Sequence, residues 1–181
     1  MILLSMAHEL TPKQAASLWA LAQLQGTTLG ELTVEWLGKY DSPALRRLAG
    51  ETSTTLAEHS DLFVAVLEEL GFQIPSKNDA CFVVAALYAR KILDGQLSPH
   101  EGARKIWWHA SNEYEGSSEL LLTFVGAASE LDDLPERTSE DGLDRAEYRK
   151  QLEQDIIKAA HEVCRDAMDN KDAGPGREEV K

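Results

Sequence analysis

Ser76-Lys77-Asn78-Asp79-Ala80-Cys81-Phe82-Val83-Val84-Ala85-Ala86-Leu87-Tyr88-Ala89-Arg90-Lys91-Ile92-Leu93-Asp94-Gly95 is the stretch whose reading decides the fold. Ser76 is an N-cap residue type, Asp79 stands at the box position three residues on, and Asp94-Gly95 supplies a stop. Between them, residues 80–89 are apolar nearly all the way round. A helix without a polar face is buried on all sides. The stretch therefore predicts a central helix over 77–93 with other helices packed around it.

The same punctuation recurs on either side. A Ser or Thr is followed directly by Pro at Thr11-Pro12, Ser42-Pro43 and Ser98-Pro99. The hydroxyl accepts a hydrogen bond from a free backbone N–H, and Pro at the first helical position loses nothing there. Gln14 and Glu101, three residues further on, are expected to complete capping boxes.

Apolar spacing then sets the remaining helices. The first spans 12–24, with Ala15, Leu18, Trp19, Leu21 and Ala22 inward, and Gln25-Gly26-Thr27-Thr28 ends it. The next run over 29–37, facing Leu32, Trp36 and Leu37 inward, and over 43–49, stopped by Gly50. One over 54–70 buries Leu56, Phe63, Val66, Leu67 and Leu70 and stops at Gly71. After the central helix come 99–112, a turn over 113–118, and 119–131 with Leu121, Phe124, Val125, Ala128 and Leu131 inward. A long rod over 143–168 carries Leu152, Ile156, Ala160, Val163 and Ala167 on one stripe.

The fold class is all-α: a single-domain bundle of about seven to eight helices over 11–168. Residues 1–10 form an N-terminal extension, 132–142 an acidic linker, and 169–181 a disordered tail.

Charge narrows the partners. The formal net charge is −13, from 31 acidic and 18 basic residues. Residues 1–129 hold 15 acids and 9 bases, and 130–181 hold 16 and 9, so both parts share it. Nucleic acid binding draws on Lys and Arg neutralising phosphates, so nucleic acid is not the expected partner. An anionic membrane surface is repelled by the same field. The longest apolar run is about half of the roughly 20 residues that span a bilayer.

Residues 1–6 carry no basic side chain, which argues against a signal peptide, and Met6 offers a second candidate start. Cys81 and Cys164 are too few for a disulfide framework. The expected location is cytoplasmic.

No motif names a reaction. His109 and Glu113, or His161 and Cys164, share a helix face, but neither pair has a second pair to complete a tetrahedral site. No Glu-x-x-His occurs, and no glycine pattern makes a phosphate cradle, so no cofactor is expected. Residues 28–50 have the outline of a helix-turn-helix, yet only Arg46-Arg47 is basic on its second helix.

Arg104-Lys105-Ile106-Trp107-Trp108-His109 is the most informative candidate. Adjacent residues on a helix point about 100° apart, so at most one tryptophan sits at the centre of the core. Trp and Arg dominate binding interfaces.

Three runs carry a resemblance: Asp41-Ser42-Pro43-Ala44-Leu45-Arg46-Arg47-Leu48-Ala49-Gly50, Leu97-Ser98-Pro99-His100-Glu101-Gly102-Ala103-Arg104-Lys105-Ile106-Trp107 and Phe124-Val125-Gly126-Ala127-Ala128-Ser129-Glu130. They resemble small, all-helical bacterial proteins of actinobacterial type, over about residues 10–168. The resemblance implies a single cytoplasmic bacterial domain and names no site.

The expected function is an acidic helical protein-interaction module, of the kind an immunity or inhibitor protein uses against a basic bacterial protein. Its binding residues are expected among Asp132, Asp133, Glu136, Glu140 and Asp141, with Trp108 and Tyr114 as anchors. The alternative is an enzyme or small-ligand domain with a pocket lined by Trp107, Trp108, His109 and Tyr114. A third reading is a homo-oligomer that buries the stripe of the last helix against a copy of itself.

Overall fold

The computed structural model describes residues 10–24, 26–50, 56–134 and 144–169. Among them are eight α-helices, one 3-10 turn and no strand. The chain divides into two compact units, Met1–Ala80 and Cys81–Lys181, with the division inside the central helix.

The first unit holds α1 (Pro12–Ala20), α2 (Gly26–Leu37), α3 (Pro43–Gly50) and α4 (Leu56–Glu69). The box at α1 is complete: the Thr11 hydroxyl accepts from the Gln14 N–H at 3.3 Å, and Gln14 Oε1 accepts from the Thr11 N–H at 2.8 Å.

This helix stops four residues short of the expected end. Ala22 adopts a φ of 53°, and the Gln23 N–H closes onto the Leu18 carbonyl at 2.8 Å. That is the left-handed closure glycine ordinarily makes. Gly71 (φ 77°) ends α4 in the same way. Ala22 is therefore exposed rather than on the buried stripe.

α2 begins at Gly26, so the segment read as a turn is helical. Gly and Thr disfavour a helix by only about 1 kcal/mol or less each, and burial of Leu29 and Leu32 outweighs this. Leu37 lies off the buried row of Leu29, Leu32, Thr33 and Trp36 and is 40% exposed. The expected start of α4 falls outside the described residues.

Aromatic rings fill this unit. Phe63 meets Trp19 at 4.9 Å and stacks with Trp36 at 6.5 Å between centroids. Trp36 is 1% exposed, and its indole N–H donates to the Leu10 carbonyl at 3.0 Å.

α3 and α4 are tied by Glu69. Its Oε2 accepts from the Ser42 hydroxyl at 2.5 Å and from the Ala44 N–H at 3.0 Å. These bonds, with Arg46 and Arg47 nearby, hold the Glu69 carboxyl below its ordinary value. Arg46 in turn pairs with Asp41.

The second unit holds most of α5 (Lys77–Leu93), then α6 (Pro99–His109), the 3-10 turn Ser111–Glu113, α7 (Glu119–Asp133) and α8 (Arg145–Asp169). Ser76 caps α5, accepting from the Asp79 N–H at 3.2 Å. No residue over 80–89 is exposed. Gly95, with a φ of 71°, closes the helix.

α6 can lie close against α5 because position 102 lacks a side chain: a Cβ on Gly102 would sit 2.2 Å from Ile92 Cγ1. α8 packs on α7 and α6. Leu152, Ile156, Ala160 and Val163 are buried and Ala167 is half-buried, so the stripe of the last helix is consumed within its own unit. The Cys164 thiol donates to the Ala86 carbonyl at 3.8 Å, which ties α8 to α5, and burial pushes that thiol's pKa up.

Candidate functional site: the α6–α7 seam

The first turn of α6 is set by Ser98, whose hydroxyl accepts from the Glu101 N–H at 3.2 Å. The Glu101 carboxylate accepts from that hydroxyl rather than from the Ser98 N–H, so this is one half of the expected box. α6 ends at His109, three residues before the expected Asn112. The chain then tightens into the 3-10 turn, and the Ser118 hydroxyl caps α7 from the Leu121 N–H at 3.4 Å.

Two contacts fix the register of α6 against α7. His100 Nε2 lies 2.8 Å from Asp132 Oδ1, and the Ser111 hydroxyl donates to the Leu121 carbonyl at 3.5 Å. The first pair sits near the start of α6 and the end of α7, the second at the opposite ends, so the helices run antiparallel. Trp107 and Trp108 are therefore level with Val125 and Phe124.

Leu122 and Val125 stand ten and seven residues before Asp132, which puts all three within about a quarter turn of α7. Phe124 points inward and is fully buried; Val125 is half-buried, and Ala127 joins the core instead.

The expected site residues separate. Trp108 is 61% exposed and stacks on half-buried Trp107, with ring centroids 6.3 Å apart and planes at 23°. His109 turns the other way and stacks on Tyr88 at 5.5 Å. Tyr114 meets Phe82 edge-on, also at 5.5 Å. Tyr88 and Phe82 are six residues apart on α5, about 9 Å along the axis, so His109 and Tyr114 sit at different levels. The tryptophan rings stack on each other, whereas His109 and Tyr114 each meet a ring of α5.

Burial, with Lys105 adding to it, lowers the His109 pKa below its ordinary range. Burial pushes the Tyr88 phenol up to about 12.

The acidic candidates are also redistributed. Asp132 and Asp133 belong to the last turn of α7, not to a linker. Asp132 is engaged by His100 and, at 3.7 Å, by Arg104. Asp133 is exposed. Glu136, Glu140 and Asp141 lie outside the described residues.

Residues 106–134 contain Glu113, Glu115, Glu119, Glu130, Asp132 and Asp133 and no Lys or Arg. Leu122 on α7 is 53% exposed, and Arg104, one turn before Trp108 on α6 and paired with Asp132, is the cation beside this carboxylate-rich stretch. Sequence reasoning did not single out Leu122 or Gly126. A leucine and a glycine inside an apolar helix look like core until the angular position of α7 is known.

Among the described residues, no group of three or more His, Cys, Asp or Glu side chains is placed to hold a metal ion. No helix among them is long and apolar enough to cross a membrane. Comparison with family models, curated proteins and solved structures finds no match.

Proposed function

We propose that this chain is a protein-interaction module that docks a basic protein through the surface around Trp108. The observation that carries the reading is Trp108 itself, a large aromatic ring 61% exposed and held in place by its stack on Trp107. An exposed ring that is already ordered loses little conformational freedom on binding, which is how aromatic anchors gain affinity.

The net charge of −13 and the cation-free stretch over 106–134 favour a cationic partner and speed its approach. An immunity or inhibitor protein that occludes a basic site on a bacterial toxin, acting in the cytoplasm, is the class that matches this chemistry. The pocket reading loses support because His109 and Tyr114 turn to different levels of α5.

The test is a pulldown from native lysate with wild-type and Trp108→Ala protein, eluted by rising salt. The reading expects one basic protein that is released as salt increases and is depleted by Trp108→Ala. A partner retained equally by Trp108→Ala, or released without regard to salt, would sink it.

A further inference from the structure

We draw no further inference here: the strongest candidate, the outer face of α2 where Gly30, Val34 and Leu37 are exposed, is an unpartnered apolar patch, and nothing in the structure shows what covers it.

Discussion

In the α3–α4 pair, Glu69 at the end of the second helix reaches back to the first turn of the first helix. In the α6–α7 pair, Asp132 at the end of the second helix reaches back in the same way, to His100 and Arg104. The units that hold these pairs differ in how they set a tryptophan. The first unit turns Trp36 and Phe63 inward until they are 1% and 0% exposed, whereas α6 of the second turns Trp108 outward.

The carboxylate partners differ as well. Glu69 binds a hydroxyl and a backbone N–H, groups that a helix start must satisfy in any case. Asp132 meets the side chains of His100 and Arg104. One pair is closed by what folding requires. The other adds an exposed tryptophan, Trp108, that its own fold does not bury.

The widest separation between the two should appear on truncating their tryptophans. Trp36→Ala is expected to lose about 3–5 kcal/mol of stability, since it empties a packed site and strips the Leu10 carbonyl of its donor. Trp108→Ala should stay within about 0.5 kcal/mol, as surface changes do. Denaturant unfolding of both variants decides this, and a Trp108→Ala loss above about 2 kcal/mol would make that ring structural.

The glycines sharpen the contrast at half that scale. Gly102→Ala drives a methyl into Ile92 and should cost about 1–3 kcal/mol. Gly126→Ala should stabilise by about 0.5–1 kcal/mol, because the new methyl meets nothing and the helix gains propensity. Opposite signs in thermal melts are the expected result. A destabilised Gly126→Ala would show that the space around this position is not open.

The smallest effect concerns the Glu69 tie. Its folded-state pKa is lowered, chiefly by the Ser42 hydroxyl and then by the Ala44 N–H. A carboxyl of this kind contributes its full stabilisation above the ordinary value of 4.5 and loses it as pH falls through the lowered value. Glu69→Gln should therefore be less stable than wild type at neutral pH and converge on it in acid. Parallel pH curves for the two proteins would show that Glu69 does not set the acid limb.

The limits of α5 were legible because a cap, an apolar run and a glycine stop all act within one helix. The end of α1 was not. Ala22 took the left-handed position glycine usually fills, and nothing local in Gln23-Leu24-Gln25-Gly26 announces that. Trp107-Trp108 was legible as a pair whose members cannot both be central, since the 100° step per residue is a property of any helix.

Which ring faces out depended on the neighbours of α6, because burial is decided by what lies opposite. The same holds for Asp132, which reads as solvated linker until α7 is seen to extend through it to His100. Local hydrogen bonding and apolar period, both carried by residues a few positions apart, determined that this chain is helical and where most of its helices begin. The angular setting of α6 and α7, fixed by contacts between residues 10 to 32 positions apart, decided that Trp108 and Leu122 are exposed.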